Sequence, residues 1–581
     1  MINEKEFDLL KKIAENCFFL STNKENKELL NSLKKLNYIN NNNSITKKGY
    51  KKLQEYKVDN AIILAAGMAT RFVPFSYEKP KGLMKVKGEP LIERLICQLK
   101  EKGINEIVIV VGYMKESFYY LKEKYDVIFV VNNEFHTKNT YSSIYFARKY
   151  MKNSLIICAD NYYPENLFNT YEYNSYYCGV YLPGVGETER SLVPDETGLV
   201  ITTHKPSVNE WIMIGHAYWN KDFSSKFKKI IEDYYKKIGY ENYYWETVWA
   251  ENLDKCKGYL KKCTKDQILE FDSVEDIKKY DCNFYINNKS TIIKNICNIF
   301  KCDFDDLKEF IPLTTGLNNK SFTFEYAGNK YVYRHPGINA EGYIDRKKEA
   351  FVQEHVKKLG IDSTLVYIDK ENGWKISKFI DSNETFDFSN MNHIKMLANH
   401  LKKLHESKLI TNSKFSYMIE ADKLLDIIEN RNIDDYNMLE PIKEKIQLLA
   451  NEIDNDSWQV SLCHNDIYQP NIIVESDKKI HLIDWEFSGD NDIGFDICKL
   501  FAVSGTNVSE IDNYLYYYYG RKTTTSEKKH LIGCSAISYY YWYVWGIYAS
   551  ENGTTIPDYL KVWYDKMNIF LNEYYKIGGR D

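Results

Sequence analysis

Hydrophobic residues recur at helical spacing in the first part of the chain, and a short polar turn follows. The turn, Asn40–Asn43, lies between Ile39 and Ile45, and a further helix is predicted after Thr46. The helical positions are Phe7, Leu10, Ile13, Ala14, Leu29, Leu30, Leu33 and Leu36. Two or three short helices with a hairpin predict a small α+β unit over residues 1–57.

From Asn60 onward, short apolar runs alternate with helical stretches. The apolar runs are residues 61–65, 107–111, 127–131 and 155–158. This alternation predicts a parallel sheet with helices on both faces, a Rossmann-like α/β domain over residues 58–287. Ligands of such folds bind at the carboxyl ends of the strands, so we expect functional side chains just after these runs.

A third pattern begins near Thr291. Short strands, such as the run ending at Arg334 and the apolar run Ile480–Ile483, occur together with helical stretches. This pattern predicts an α+β domain over residues 291–581. The sequence therefore predicts a multidomain protein with three successive units.

Composition supports more than one domain. The 581 residues are 44% hydrophobic, and 77 basic against 81 acidic residues give a formal charge of −4. This balance does not mark the whole chain as a binder of nucleic acid or membrane surfaces. The 12 cysteines form no zinc-like cluster, and the chain shows neither a secretory leader nor a membrane-spanning apolar segment. We therefore expect a cytoplasmic protein without membrane insertion.

The run His464–Asn471, followed by Asp484, carries the clearest chemistry. Asp466 and Asn471 lie five positions apart, and Asp484 ends the next apolar run. Phosphoryl transfer needs a carboxylate beside the incoming hydroxyl and two oxygen ligands that hold Mg²⁺ on the nucleotide phosphates. This spacing predicts a kinase. The alternative is a set of unrelated polar residues at strand ends.

The first strand of the α/β domain runs directly into a loop of small residues. Small side chains let backbone amides approach a base and its phosphates, while the cations Arg71 and Lys81 can neutralise a triphosphate and assist catalysis. The nucleotide-binding candidates are Leu64, Ala65, Ala66, Gly67 and Arg71.

This loop, Leu64–Phe72 followed by Glu78–Leu83, resembles the nucleotidyltransferase superfamily, with Ala69 at the usual second glycine. Gly88–Arg94 and Val110–Tyr113 make the segment similar to the phosphocholine cytidylyltransferases. The resemblance implies transfer of CMP from CTP to phosphocholine with release of pyrophosphate. It also implies Mg²⁺ held by Asp160, Glu270 and Asp272.

Two aromatic residues of this segment are candidates for binding a quaternary ammonium group. We select Tyr218 and Trp245, because cations bind over aromatic faces. The chain contains 49 tyrosines, however, and the alternative is that both rings belong to the hydrophobic core.

The third segment opens with a predicted hairpin loop over phosphates, Leu313–Ser321. Arg334 in a following strand is a candidate for pairing with nucleotide phosphates, and Glu349 for holding that cation in place. The nucleotide-binding candidates are Gly316, Asn318, Asn319, Arg334 and Glu349.

These motifs, with Leu401–His405 and Ile483–Phe487, resemble the choline and ethanolamine kinase family across nearly all of residues 300–581. That family is related to the aminoglycoside phosphotransferases, so the resemblance implies a protein-kinase-like fold that uses ATP. It further implies Asp466 as the catalytic base, with Asn471 and Asp484 as ligands of Mg²⁺.

The stretch Ser538–Tyr548 indicates the acceptor, because seven of its eleven residues are Tyr or Trp. Read as a helix, it places Trp542 and Trp545 near one face, where they could enclose a trimethylammonium group. The alternative is an aromatic core helix. The substrate-binding candidates of this domain are Asp466, Trp485, Tyr541, Trp542 and Trp545.

Residues 1–57 resemble a winged helix-turn-helix domain. They contain 12 lysines against 7 acidic residues, which is compatible with a surface that faces DNA, but they contain no arginine. A packing, dimerisation or regulatory module is an equal alternative.

The preferred hypothesis is a bifunctional enzyme that phosphorylates choline with ATP and then joins phosphocholine to CMP from CTP, giving CDP-choline. One alternative keeps both activities and changes the substrate to ethanolamine or an amino sugar. Another is a DNA-binding regulator with metabolite-sensing domains. The sequence does not determine whether the chain forms a homo-oligomer.

Overall fold

The structure, a computed structural model, describes residues 2–15, 24–183, 190–204, 209–313, 320–336, 345–382, 384–428, 434–476, 479–504, 508–551 and 559–577. The chain divides into two compact units, residues 1–300 and 301–581. Residues 291–300, assigned above to the third segment, form a helix of the first unit. Within the described ranges, no helix has both the length and the apolar character that crossing a membrane requires.

The N-terminal part of the first unit consists of three short helices. These are α1 (Glu4–Ala14), α2 (Lys24–Lys35) and α3 (Lys47–Gln54). Helix α1 begins at a capping box, in which the side chains of Asn3 and Glu6 accept hydrogen bonds from each other's backbone amides. The predicted hairpin is present as one antiparallel bridge between Ile39 and Ile45.

This helical module shares a core with the domain that follows it. The rings of Tyr56 and Tyr173 stack at 5.3 Å, and the ring of Phe7 lies 5.0 Å from that of Tyr56. The side-chain amide of Gln54 also donates to the hydroxyl of Tyr171. The module is therefore fixed to the segment around residues 170–173, and its winged-helix assignment stays a prediction.

The rest of the first unit is built on a nine-stranded mixed sheet. Its elements are β1 (Asn60–Ala65), β2 (Lys85–Val86), β3 (Glu89–Pro90), α4 (Leu91–Glu101), β4 (Glu106–Val111), α5 (Tyr120–Tyr125), β5 (Ile128–Val131), α6 (Thr140–Ala147), β6 (Ser154–Cys158), β7 (Asn161–Tyr162), β8 (Tyr176–Leu182), β9 (Ser191–Pro194), β10 (Val200–His204), β11 (Glu210–Trp219), α7 (Lys221–Tyr235), α8 (Trp245–Ala250), β12 (Tyr259–Cys263), β13 (Leu269–Glu270), α9 (Val274–Tyr280), α10 (Phe284–Asn288) and α11 (Thr291–Phe300). The main path of the sheet runs β10-β9-β11-β6-β1-β4-β5, in which the neighbouring strands β6, β1, β4 and β5 are parallel.

Strand β1 lies in the centre of this sheet and pairs in parallel with β4 and β6. All six of its residues are buried, because helices cover both faces. Ala65 pairs with Val111, and Leu64 with Cys158, so the three strands end at the same edge. The four predicted strands and the α/β architecture are confirmed.

The second unit contains a small antiparallel sheet and a larger helical part. Its elements are β14 (Lys308–Leu313), β15 (Lys320–Tyr326), β16 (Asn329–His335), α12 (Arg346–Lys358), β17 (Leu365–Ile368), β18 (Lys375–Lys378), α13 (Met391–Glu406), α14 (Tyr417–Ile427), α15 (Asp434–Asn437), α16 (Glu440–Asn455), β19 (Val460–Cys463), β20 (Ile472–Ser476), β21 (Lys479–Leu482), β22 (Gly489–Asp492), α17 (Gly494–Ile497), α18 (Lys499–Ala502), α19 (Ile511–Tyr519), α20 (Thr525–Glu551) and α21 (Tyr559–Lys576). The sheet has the order β14-β15-β16-β18-β17, and α20 packs against α21, α14 and α16.

Candidate active sites

The loop after β1 leaves space beside its backbone. A side chain built at Gly67 would meet no atom within 4 Å. Ala69 has a φ of 49°, in the left-handed region that costs an alanine roughly 1–2 kcal/mol. The carbonyls of Leu64 and Ala66 accept backbone hydrogen bonds from Ala159 and Tyr113, which hold the loop in place. The loop therefore offers an open, backbone-lined surface of the kind that a nucleotide needs.

Lys81 lies at the centre of the predicted nucleotidyltransferase site. Its ammonium is 2.9 Å from a carboxylate oxygen of Asp160, and it donates a further hydrogen bond to the carbonyl of Phe271. The same ammonium lies 4.3 Å from the centre of the Phe72 ring. Only 12% of the Lys81 side chain is exposed. The predicted cation and one predicted metal ligand are therefore in direct contact.

Two of the predicted acidic residues, Asp160 and Glu270, lie near the edge where β1, β4 and β6 end. Strand β13 pairs with β7, which places Glu270 opposite Asn161, the neighbour of Asp160. Asp272 follows two positions later and forms a 3.0 Å ion pair with Arg71, although both side chains are more than half exposed. Carboxylate oxygens are the ligands that Mg²⁺ prefers, so Asp160 and Glu270 fit a divalent cation.

A further carboxylate, Glu246 on α8, lies near this edge. Burial, and then the negative charges of Asp160, Glu246 and Glu270, raise the pKa of the Cys158 thiol at the end of β6. Burial also raises the pKa of Glu246 to about 7. Sequence reasoning missed Glu246, whose only signal was its place directly after Trp245.

Tyr218 and Trp245 lie in hydrophobic cores. Each is only 1% exposed, since Tyr218 packs against Tyr176 at 5.8 Å and Trp245 against Trp219 at 5.1 Å. Neither ring presents a free face to a ligand. Their placement favours the alternative stated above, that both are core residues, over a role in binding an ammonium group.

In the second unit, His464–Ile467 and Asn471 are buried, whereas Tyr468 in the same run is exposed. The carboxylate of Asp496 accepts hydrogen bonds from the backbone amides of His464 and Asn465, at 2.8 and 2.9 Å. The Asn471 side-chain amide donates to the Asp466 carboxylate at 2.9 Å. Burial, then the charges of Asp484 and Glu486, raise the pKa of Asp466 to about 8. Asp466, Asn471 and Asp484 are thus brought together as predicted.

Arg334 on β16 joins this cluster. Its guanidinium lies 3.1 Å from Asp484 and also donates to Glu349 on α12 and, at 3.2 Å, to the carbonyl of Gly373. Burial opposes the charge of Arg334, but the carboxylates of Glu349, Asp484 and Glu486 outweigh it and raise its pKa. The predicted pairing of Arg334 with Glu349 is present. Gly316, Asn318 and Asn319 lie outside the described residues.

Arg346 and Glu486 extend the cluster and were missed by sequence reasoning. Arg346 pairs with Glu349 at 3.0 Å and lies 3.9 Å from Glu486. A side chain at Gly373, which has a φ of 71°, would come within 2.4 Å of the Arg346 side chain. Glycine at position 373 therefore makes room for this second arginine.

A cluster of aromatic side chains lies beside the run His464–Asn471. Trp542 is 5.7 Å from Trp545, 6.2 Å from Phe487 and 6.3 Å from Trp563, measured between ring centres. We call Phe487, Trp542, Trp545 and Trp563 the aromatic box. Its three tryptophans are half-buried, and the carbonyl of Phe487 accepts a hydrogen bond from Asn465, next to Asp466. Partly accessible faces of this kind can bind a quaternary ammonium group.

Two other predicted aromatic residues lie elsewhere. Tyr541 is fully buried against Tyr417, at 5.5 Å. Trp485 is fully buried 4.5 Å from the His464 ring and donates its indole N–H to the carbonyl of Leu482. These two side chains support the loop from inside the core rather than line the aromatic box. Phe487 and Trp563 complete that box instead, although neither was selected from the sequence.

Comparisons with known proteins follow this division of the chain. Residues 61–168 match the MobA-like NTP transferase domain model, and residues 310–533 match the choline/ethanolamine kinase model. Choline-phosphate cytidylyltransferase of Streptococcus pneumoniae is 37% identical over 38% of this chain and 96% of that protein. A 2-aminoethylphosphonate cytidylyltransferase of Lancefieldella rimae is 33% identical over 38% of this chain and 92% of that protein.

A relative named probable ethanolamine kinase, from Nematostella vectensis, is 25% identical over 50% of this chain and 93% of its own length. The N-terminal helical module lies before the residues matched by either family model. The chain therefore belongs to the choline-phosphate cytidylyltransferase family and joins that nucleotidyltransferase to a domain of the choline/ethanolamine kinase family.

Proposed function

We propose that the chain makes CDP-choline in two successive reactions, using ATP in the second unit and CTP in the first. The kinase produces phosphocholine, which is the acceptor of the cytidylyltransferase. The aromatic box beside Asp466 is the observation that carries the proposal, because it supplies the surface for a trimethylammonium group next to the base that the hydroxyl needs.

In the kinase reaction, Asp466 accepts the proton of the choline hydroxyl while that oxygen bonds to the γ-phosphorus of ATP and ADP leaves. The side-chain amide of Asn471 donates to the Asp466 carboxylate at 2.9 Å and holds that carboxylate in place. Asn471 and Asp484 would hold Mg²⁺, which neutralises phosphate charge when bound. Arg334, oriented by Glu349, faces the same phosphates.

In the cytidylyltransferase reaction, a phosphate oxygen of phosphocholine bonds to the α-phosphorus of CTP, and the bond to pyrophosphate breaks. No protein nucleophile is required. Lys81 stabilises the charge that develops on the α-phosphate, and Arg71 contributes from the rim of the site. Asp160 and Glu270, with Asp272, would hold the Mg²⁺ that supplies further charge neutralisation.

Two relatives are named for other amines, 2-aminoethylphosphonate and ethanolamine. Each of these alternative substrates fits this chain less well than choline. A primary ammonium such as that of ethanolamine needs hydrogen-bond acceptors, whereas the aromatic box offers mainly ring faces. A phosphonate acceptor already carries its phosphorus group, so a kinase on the same chain would not be needed to prepare it. Choline therefore fits both halves of the chain best.

The test of this function is direct. Purified chain is incubated with choline, ATP, CTP and Mg²⁺, and the products are identified by mass spectrometry. CDP-choline is the expected product. Consumption of ethanolamine in place of choline would contradict the proposed substrate while leaving both reaction types intact.

A further inference from the structure

Three side chains of the second unit that can each bind a metal ion meet away from the proposed kinase site. Asp492 ends strand β22, whereas His530 and Cys534 lie four residues apart on one face of helix α20. A carboxylate oxygen of Asp492, an imidazole nitrogen of His530 and the sulfur of Cys534 all lie within 4.8 Å of one another. His530 follows Asp492 by 38 positions in the chain, so the fold brings these donor atoms together.

Gly494 leaves space beside the three donor atoms. A side-chain carbon at this position would lie 2.9 Å from Oδ1 of Asp492 and 3.0 Å from both Nε2 of His530 and Sγ of Cys534. The three atoms therefore face one common point, which glycine keeps free of a methyl group. Zinc binds oxygen and nitrogen at about 2.0–2.2 Å and sulfur at about 2.3 Å, so the donor atoms need to close on a shared ion by less than about 1 Å.

The imidazole of His530 is held with one nitrogen toward this point. Its Nε2 lies 2.9 Å from the carboxylate of Asp492, and its Nδ1 lies 2.7 Å from the carboxylate of Asp456. The ring of Trp458 stacks on the imidazole at 4.0 Å and fixes its plane. A carboxylate on the far nitrogen is the usual outer partner of a metal-binding histidine, because it orients the ring and makes the near nitrogen a better ligand. Asp456 is placed for that role.

The chemistry of the three donors selects the metal. Mg²⁺ prefers oxygen ligands, whereas Zn²⁺ binds thiolate, imidazole and carboxylate in one site. Hydrogen bonds account for the contacts of His530 with its two carboxylates, but they do not account for the Cys534 sulfur at the same point. A bound ion would replace the proton on Nε2 of His530 and the proton of the Cys534 thiol, so binding releases protons.

We propose that Asp492, His530 and Cys534 bind one Zn²⁺ ion, which ties helix α20 to strand β22. The three side chains leave the fourth position of a tetrahedral ion to water or to the second oxygen of Asp492. This site goes beyond the proposed function, because its ion takes no part in phosphoryl or cytidylyl transfer.

The ion would stabilise the arrangement of two parts of the kinase site. Asn491, the neighbour of Asp492 on β22, donates to the side chain of Asn465 at 2.9 Å, next to Asp466. Helix α20 carries Trp542 and Trp545 of the aromatic box. A metal link between β22 and α20 therefore holds the aromatic box in register with the proposed catalytic base.

The test uses Co²⁺ as a spectroscopic substitute for Zn²⁺ in the full chain, after a chelator has removed bound metal and without nucleotide or choline. Wild-type protein is expected to bind one equivalent and to show the near-ultraviolet absorption of a cobalt–thiolate bond, which Zn²⁺ then removes. Cys534→Ser should lose this absorption. Cys498→Ser is the matched control and should keep it, because Cys498 is a buried neighbour whose sulfur donates to the carbonyl of Phe495.

Gly494→Ala keeps all three donors and places a methyl group at the point that they share. It should weaken Zn²⁺ binding by more than about 10-fold, since loss of an outer partner alone has an effect of that size. Zn²⁺ should raise the unfolding temperature of wild type and Cys498→Ser, but not of Cys534→Ser or Gly494→Ala. Circular dichroism without metal shows that each variant is folded.

Three outcomes would each overturn the proposal. They are the absence of stoichiometric Co²⁺ binding by wild type, a cobalt–thiolate absorption that persists in Cys534→Ser, and an unchanged Zn²⁺ affinity in Gly494→Ala. None of them bears on the proposed function, because neither reaction is measured.

Discussion

The ammonium of Lys81 lies 2.9 Å from the carboxylate of Asp160, so the proposed phosphate-binding cation and a proposed metal ligand are paired with each other. The second unit repeats this relationship, with Arg334 3.1 Å from Asp484. If the proposed ligands bind as described above, Mg²⁺ and a nucleotide phosphate would compete with an internal ion pair in each site. Binding of the two ligands together would exchange that pair for two new ones.

Replacing Lys81 by Met should reduce the rate of cytidylyl transfer by roughly 10²- to 10³-fold. The variant lacks a preorganised positive charge that stabilises the negative charge developing in the transition state. Phosphorylation of choline by the same protein should be unchanged. The measurement is pyrophosphate release with phosphocholine and CTP. Lys85→Met, at an exposed position nearby, is the control and should retain full activity.

The same substitution should alter metal binding in the absence of nucleotide. Without Lys81, Asp160 loses its partner, so Mn²⁺, as a paramagnetic substitute for Mg²⁺, should bind the first unit more tightly. Electron paramagnetic resonance titration without CTP measures this affinity. Equal Mn²⁺ affinity of wild type and Lys81→Met would show that the ion pair does not restrain metal binding.

Replacing Trp563 or Trp542 by Ala should raise the KM for choline in the kinase reaction by about 3- to 30-fold, as expected for one cation–π contact. The KM for ATP should stay the same. Tyr516→Ala, at an exposed aromatic residue of α19 (57% exposed), is the control. Unchanged choline kinetics in both tryptophan variants would exclude the aromatic box as the choline site.

His530 in α20 should stabilise the second unit in mildly acidic solution and lose this effect in alkaline solution. Burial alone would lower its pKa, but hydrogen bonds to Asp492 and Asp456, at 2.9 and 2.7 Å, raise the pKa above its ordinary value. A raised pKa in the folded state stabilises the protein fully below the unfolded pKa, and this contribution is lost as pH rises through the folded pKa.

Calorimetric unfolding of His530→Gln therefore checks the sign of this effect. At about pH 6 the variant should be less stable than wild type by roughly 1–3 kcal/mol, and at about pH 9 the difference should shrink. A difference that grows with pH would contradict the assignment of a charged His530 between two carboxylates.

The sequence predicted those parts of the fold and sites that depend on local pattern. The strand ending at Ala65 was found because a run of apolar residues buried on both faces leaves a clear signal. Asp466, Asn471 and Asp484 were found because their spacing is fixed by one loop and one strand pair. Such features are encoded within a few tens of residues.

Features that depend on packing between distant segments were not predicted. Tyr218 was selected for its chemistry, but only the sheet and its helices decide that this ring faces the core. Phe487 and Trp563 lie on different elements, and helix packing at Gly546, where a side chain would come within 2.8 Å of the Trp563 ring, brings that tryptophan to Trp542. The position of Glu246 likewise depends on distant residues. Its carboxylate accepts a hydrogen bond from the Tyr177 hydroxyl, which in turn accepts one from the Gly215 amide.

The most direct test of the central claim uses the intact chain with choline, ATP, CTP and Mg²⁺, beside Asp466→Ala and Asp160→Ala variants, with mass spectrometry of the products. The account predicts that wild type makes CDP-choline, that Asp466→Ala does so only when phosphocholine is added, and that Asp160→Ala stops at phosphocholine. Formation of CDP-choline from choline by either variant alone would contradict the division of the two reactions between these two sites.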